Sequence, residues 1–391
     1  MQPLVISDFS IVTSLGAGRA ATVAALQSGA PGVAPCHFET ATLPTYVGEI
    51  PGLADVDDGI ACRNSRLARR ALEQDGFMES VAAARSKHGA HRIGLFVGTS
   101  TSGILETEQA YRKRNAVGGA LPSGYDYAKT HNTFSVAAFV ANDLALDGPA
   151  VALSSACATT AKAFAAAARM IAAGQCDAAV VGGADTLCLT TLYGFHALGL
   201  LSTEPCRPFD PGRDGISIGE GAGFALVEKP GNETGDAILL LGTGESSDAY
   251  HMSTPHPEGL GARLAMERAL KAAALSPRDI DYVNLHGTAT KTGDASEDLA
   301  VTGLFGTSTP CSSTKGQTGH TLGAAGIVET IISALSIRHG VIPGSPNTRS
   351  IDPALKSRYM IAPQVARIDR AMSNSFGFGG SNCSLILGRA G

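Results

Sequence analysis

Tryptophan is absent from this 391-residue chain, aromatic residues make up only 5%, and charged residues only 17%. No Cys-x-x-Cys pair occurs among the eight cysteines, and their spacing is irregular. That pattern excludes a zinc ribbon and a disulfide framework and predicts reduced thiols in a cytoplasmic protein that needs no metal. Excess positive charge is lacking too: the net charge is -5. Global attraction to nucleic acid or an anionic membrane is thereby excluded, and any basic site must be a local patch. No apolar run approaches a membrane span, and Met1-Gln2-Pro3-Leu4-Val5-Ile6-Ser7-Asp8 lacks the basic and apolar regions of a leader, so neither targeting nor anchoring is expected.

What the chain does have is core and punctuation. Hydrophobic residues reach 44%, and 47 glycines are dispersed rather than gathered into a linker. Apolar runs of strand character recur at 92–98, 150–154, 178–182, 222–227, 237–241, 282–286 and 385–388. Segments of helical length and apolar spacing alternate with them at 81–85, 161–173, 260–274 and 327–338. This alternation predicts an α/β fold with a sheet covered on both faces. The polar connector Lys229-Pro230-Gly231-Asn232-Glu233-Thr234-Gly235 suggests a division into halves at 1–230 and 236–391. The first half carries extra material at about 51–142, read as an insertion that builds a pocket or a subunit contact.

Four places carry candidate chemistry. Val151-Ala152-Leu153-Ser154-Ser155-Ala156-Cys157 is a strand-like run that breaks into small residues before an Ala-rich helix. A thiol there meets unpaired helix N–H groups that favour thiolate, so Cys157 is either a nucleophile at an elbow or a small residue in tight strand-to-helix packing. His286 follows the strand-like Asp281-Tyr282-Val283, at the carboxyl end where α/β sheets collect ligands. His320 lies in a Gly-rich loop, five residues after Lys315, whose burial would be costly outside a polar site. Asn374-Ser375-Phe376-Gly377-Phe378-Gly379-Gly380-Ser381-Asn382 is a glycine-punctuated turn that can offer a backbone N–H to an oxyanion, or an ordinary hairpin.

Five segments, in order, resemble the β-ketoacyl-acyl carrier protein synthases of the elongating Cys-His-His type. They are Ala156-Cys157-Ala158-Thr159; Arg207-Pro208-Phe209-Asp210 with Gly219-Glu220-Gly221-Ala222-Gly223; His286-Gly287-Thr288-Ala289-Thr290; Lys315 to Gly326; and Asn374 to Asn382. The resemblance implies a thiolase fold, with two similar halves in a five-layered α/β/α/β/α core. It implies an acyltransferase that loads an acyl group on Cys157 and condenses it, with decarboxylation, with malonyl-carrier protein. By the same resemblance Cys157 and Phe378 offer the oxyanion hole, His286 and His320 stabilise the enolate, and Lys315 supports the second histidine. Glu329 either supports that histidine too or is a buried structural carboxylate. Thr288 and Thr290 match pantetheine-contacting threonines, and Phe376 and Phe378 match a pair that gates the acyl pocket, Phe376 alternatively being core. Asp210 and Glu220 read as scaffold.

The partner implied is an acidic acyl carrier protein that delivers a phosphopantetheine arm, with no tightly bound cofactor. Arg63, Arg66 and Arg70, at helical spacing, would give it a basic docking face, or else form a solvated charged face. A homodimer or a heterodimer with a chain-length-factor-like paralogue is expected. Two departures stand out. Lys162 stands where many relatives have histidine, and Thr130-His131-Asn132 is more polar than a plain fatty-acid tunnel, which sets a specialised polyene or polyketide-like branch beside fatty acid biosynthesis as the expected pathway. Rival readings fit less well. A degradative thiolase needs a second cysteine in a Cys-x-Gly context, whereas Cys383 precedes Ser384-Leu385; a Cys-His-Asn synthase has asparagine at position 320; a chain-length factor lacks the nucleophile.

Overall fold

A computed structural model of the chain describes residues 1–53, 59–231, 235 and 237–390. The connector residues Asn232, Glu233 and Thr234, and position 236 where the second half was expected to begin, lie outside the described residues.

Ten strands form the body: β1 (Leu4–Thr13), β2 (Ile93–Gly98), β3 (Ala150–Leu153), β4 (Ala178–Asp185), β5 (Gly221–Glu228), β6 (Ile238–Ser247), β7 (Tyr282–Asn284), β8 (Pro310–Ser312), β9 (Arg370–Gly377) and β10 (Ser381–Arg389). Their spatial order is β3-β2-β4-β5-β1-β6-β10-β9-β7-β8. Read outward from its middle, this order repeats. The first half runs third, second, fourth, fifth, first strand, and the second half does the same in mirror arrangement. Parallel and antiparallel pairings also repeat: β2 pairs parallel with β3 and β4 as β7 does with β8 and β9, and the remaining pairs are antiparallel. A short antiparallel contact, Leu4↔Leu240 to Ile6↔Ile238, joins the halves.

The helices that bear on the site are α1 (Arg63–Leu72), α2 (Phe77–His88), α3 (Ser135–Asp143), α4 (Thr159–Ala172), α5 (Leu189–Ala197), α6 (Leu260–Ala273), α7 (Lys291–Phe305) and α8 (Ala325–His339). Helices α4 and α8 pack on each other and on strands of both halves, forming the central layer. Outside, α1, α2 and α3 cover the first half, while α6 lies on β6 and β10 with α7 beside it. The result is the five-layered α/β arrangement of the thiolase fold. Small residues allow the central contact: a Cβ on Gly326 of α8 would lie 2.4 Å from the Ala161 amide nitrogen of α4. Every residue of β4 and β5 is buried, which explains their continuous apolar sequence.

Two sequence readings change. The stretch 51–142 is not an insertion as a whole, because it supplies α1, α2 and the fully buried core strand β2. β1, β8 and β9 lie outside the strand-like runs of the sequence. Residues Asn374 to Asn382 do make a hairpin, with β9 ending at Gly377 and β10 starting at Ser381. Among the described residues no helix is long and apolar enough to cross a membrane.

Candidate active site

Cys157 sits two residues before α4, in the connection from β3. Ala156 holds that bend with φ 47°, a left-handed value that costs a residue with a side chain roughly 1 kcal/mol or more. Thr159 braces it from the helix start: its Oγ1 accepts the Ser155 N–H at 2.7 Å and donates to the Ala156 carbonyl at 2.5 Å. The elbow thus aims the sulfur into the seam between the halves.

The seam brings both histidines to it. His320 Nε2 lies 3.0 Å from Cys157 Sγ. His320 Nδ1 accepts the Leu322 N–H at 3.2 Å, so the ring carries its proton on Nε2 and directs it at the sulfur. The His286 ring stands edge-on to His320 at 84°, with centroids 5.4 Å apart. One ligand-type atom from each of Cys157, His286 and His320 lies within 4.8 Å of the others. A soft metal could reach such a trio, but binding at His320 Nε2 would need the ring proton moved to Nδ1, against the Leu322 N–H. The trio is better suited to donating hydrogen bonds than to ligating a metal.

The sites of the two loops correspond in the repeated halves. Cys157 follows the third strand of the first half and leads into α4; Lys315 and His320 follow the third strand of the second and lead into α8. His286 follows β7, and its loop is fixed by Glu297 of α7, whose carboxylate accepts the N–H groups of His286 at 2.8 Å and Gly287 at 2.7 Å. Lys315, 1% exposed, pairs with Glu329 of α8.

Burial dominates the electrostatics. It drives both histidine pKa values well below the ordinary imidazole value, helped by the nearby Lys315 charge and, for His286, by His320. Both rings are neutral at physiological pH. Burial also pushes the Cys157 thiol up to about 11, against the opposing pulls of Lys315 and the Phe378 N–H. The pull toward thiolate expected from the sequence is present, in Lys315 and the N–H groups of Phe378 and Cys157, but desolvation outweighs it. Glu329, also buried, is pushed up to about 7 by desolvation despite Lys315.

Cys157, His286, His320, Thr288, Thr290, Phe376 and Phe378 line one cavity. Thr288 and Thr290 meet through their hydroxyls at 3.0 Å, and Phe376 lies edge-on to His286 with centroids 6.1 Å apart. The Phe378 N–H points at Cys157 Sγ. Gly377 permits that approach, since a Cβ there would lie 3.1 Å from the Cys157 nitrogen. Sequence reasoning missed Glu297, whose signal was only a carboxylate eleven residues after His286, and Phe195 of α5, which lines the cavity and meets Phe378 at 5.8 Å.

Other expected residues stand elsewhere. Lys162 pairs with Glu245 at 3.6 Å, and His131 Nδ1 bonds Thr107 at 3.0 Å; neither residue lines the cavity. The docking face needs correction. Arg63 is 4% exposed and grips the buried Glu220 through Nε and Nη2 at 2.7 and 2.8 Å, so it faces no partner. Arg66 and Arg70 are half-buried and bond the carbonyls of Leu53 and Ile60 and of Pro51. Glu220 and Asp210, read as scaffold, both serve buried contacts, Asp210 accepting the N–H groups of Gly212 and Arg349.

Comparison with known proteins agrees with this geometry. The 3-oxoacyl-[acyl-carrier-protein] synthase 2 of Coxiella burnetii is 34% identical over 99% of this chain and 98% of its own. Among solved structures, the ketosynthase ApeO of Xenorhabdus doucetiae, in complex with its chain length factor ApeC, is 38% identical with a TM-score of 0.90, covering 100% of this chain and 98% of that one. A β-ketoacyl synthase from Burkholderia phymatum is 30% identical with a TM-score of 0.88, covering 100% of each chain. The β-ketoacyl synthase N-terminal domain matches residues 58–231 and its C-terminal domain residues 238–349, and on this agreement of sequence and site the chain belongs to the β-ketoacyl synthase family.

Proposed function

We propose that Cys157, His286 and His320 carry out a decarboxylating condensation that yields 3-oxoacyl-carrier protein. The observation that carries this reading is the His320 Nε2–H directed at Cys157 Sγ, with neutral His286 edge-on beside it. In the first step the sulfur attacks an acyl thioester; the carbonyl oxygen gains charge facing the N–H groups of Cys157 and Phe378, and the carrier's thiol leaves with a proton. Malonyl-carrier protein then occupies the cavity. Its carboxylate leaves as carbon dioxide, and the electron pair of the broken C–C bond becomes an enolate whose oxygen is held by the N–H groups of the two histidines. The enolate carbon attacks the acyl carbonyl on Cys157. A C–C bond forms, the C–S bond breaks, and the sulfur recovers a proton.

Neutral imidazoles suit this task, because a charged pair would have to be buried before any negative charge exists to offset it. Burial keeps both rings neutral with help from the Lys315 charge, and pairing with Glu329 holds Lys315 in place. Thr288 and Thr290 hold the amides of a phosphopantetheine arm delivered by an acyl carrier protein; Phe376 and Phe378 close over the acyl end. Arg66 and Arg70 retain part of the proposed carrier-docking face, Arg63 having been removed from it. The likeness to a ketosynthase solved with a chain length factor supports a specialised pathway and a heterodimer, with a homodimer as the alternative.

Intact-mass trapping tests both reaction and substrate. Incubation with saturated, unsaturated and aryl carrier thioesters should add the acyl mass at Cys157 for at least one class, and malonyl-carrier protein should then release it as a 3-oxoacyl product. Cys157→Ala should stay folded and take up nothing. No adduct on the wild type with any primer would end the enzymatic reading.

A further inference from the structure

We propose that Asp185 is a positioning residue that sets the proton-bearing nitrogen of His320. Resting on the condensation reading for its role in turnover, it is argued from an independent set of contacts.

Asp185 is the last residue of β4 and is fully buried. Hydrogen-bond donors surround its carboxylate. Its Oδ1 accepts the Thr99 hydroxyl at 2.9 Å, the Ser100 N–H at 2.8 Å, and the Thr101 N–H and hydroxyl each at 2.7 Å. All of those belong to the first half. Its Oδ2 turns the other way and accepts the Ala324 N–H of the second half at 3.0 Å. Burial raises the acid's pKa, yet every contact favours the ionised form.

Ala324 closes a one-turn loop, Leu322–Ala324, directly after His320. Leu322 holds φ 51°, a left-handed conformation unfavourable for a branched side chain, and it is the Leu322 N–H that occupies His320 Nδ1. Such strain persists only when the surroundings over-determine it. Two groups of the first half supply the restraint: Asp185 on the Ala324 N–H, and Thr160, whose hydroxyl donates to the Gly323 carbonyl at 2.7 Å and accepts the Ile327 N–H at 2.9 Å. Gly323 lies so close to the carboxylate that a Cβ there would be 2.9 Å from Oδ2. The chain of cause runs from Asp185 to Ala324, to the strained Leu322, to His320 Nδ1, and so to the proton on Nε2 that faces Cys157.

Asp185→Asn tests this with little change of volume. Its amide oxygen can keep the four first-half donors, which leaves the NH2 group opposing the Ala324 N–H, a donor against a donor. Nitrogen-15 shifts of the imidazoles, assigned with His320→Ala, should show the Nε2–H form of His320 in the wild type and a mixture or the Nδ1–H form in Asp185→Asn. That measurement needs no substrate, so it can fail or succeed apart from the condensation reading. With malonyl-carrier protein, kcat for decarboxylation should fall roughly 10²-fold with KM little changed, as expected for a misplaced group, and fall further than the rate of Cys157 acylation. An unchanged His320 form, or equal losses in both half-reactions tracking the folded fraction, would overturn the proposal. If Asp185→Asn does not fold, hydrogen exchange on the wild type decides: the Ala324 amide should exchange as slowly as the β4 core, and fast exchange would sink the idea.

Discussion

Lys315 and Glu329 illustrate how a buried pair serves a site without touching the reacting atoms. Each side chain is at most 3% exposed, so neither charge can be left alone cheaply. Lys315→Met should destabilise the protein by about 3–5 kcal/mol, the usual cost of orphaning a buried charge, while Lys315→Met with Glu329→Gln should recover much of that loss. Urea denaturation of the two variants measures the difference. The neutral histidines add a pH dependence. Their native pKa values lie below the unfolded one, so between the two the unfolded state binds more protons; stability is full above about pH 6.5 and declines as the pH falls. Cys157 behaves oppositely as a reagent. Its alkylation by iodoacetamide should quicken about tenfold per pH unit from neutrality, because the thiolate is the reactive form, and should level off only near the thiol's pKa of about 11. A plateau below pH 8 would refute the buried-thiol assignment. At this scale the three side chains proposed to react were legible in the sequence, Cys157 and His286 by a strand end beside small residues and His320 by its Gly-rich loop after Lys315. Arg63 was not: helical spacing gives a face but not its surroundings, and the Glu220 that buries it is 157 residues away.

Helices α4 and α8 carry Cys157 and His320 on their leading loops, and Gly326 lets their backbones touch. Gly326→Ala would place a Cβ 2.4 Å from the Ala161 nitrogen, so the helices must part. A destabilisation of about 1–3 kcal/mol is expected from overpacking, together with slower alkylation-independent turnover, since the Cys157–His320 distance depends on the same contact. Thermal melting and condensation rates check the two effects separately. Strands β4 and β5 were legible because their apolar residues run unbroken. β9 was hidden because its interior is polar: Ser373, Asn374 and Ser375 are buried, with Asn374 bonding Glu297 and Ser384. Hydrophobic pattern reveals a strand whose neighbours are apolar; it is silent where a strand crosses the polar shell of a site.

The sheet ends differently at its two edges. Beyond β8 the short strand Arg358–Tyr359 adds a parallel pairing, whereas β3 closes the order at the other end with Val151 37% exposed. An uncovered strand edge is a template for another chain. Wild-type protein should therefore sediment as a two-chain species, alone or with a co-expressed paralogue, and Val151→Lys should shift it toward the monomer; a monomeric wild type in both preparations would exclude this edge as the contact. The repeated strand order itself was only hinted at by the sequence, since topology can recur where no residue-level repeat survives.

That repetition has a consequence for how the enzyme can be damaged. The sulfur comes from the first half of the sheet order and the imidazoles from the second, yet both halves belong to a single polypeptide and meet at its internal seam. Two chains with separate lesions, one missing the sulfur and one missing an imidazole, would therefore fail to rescue each other when mixed in a dimer. The two halves are therefore interdependent in cis, and neither can be borrowed from a neighbour.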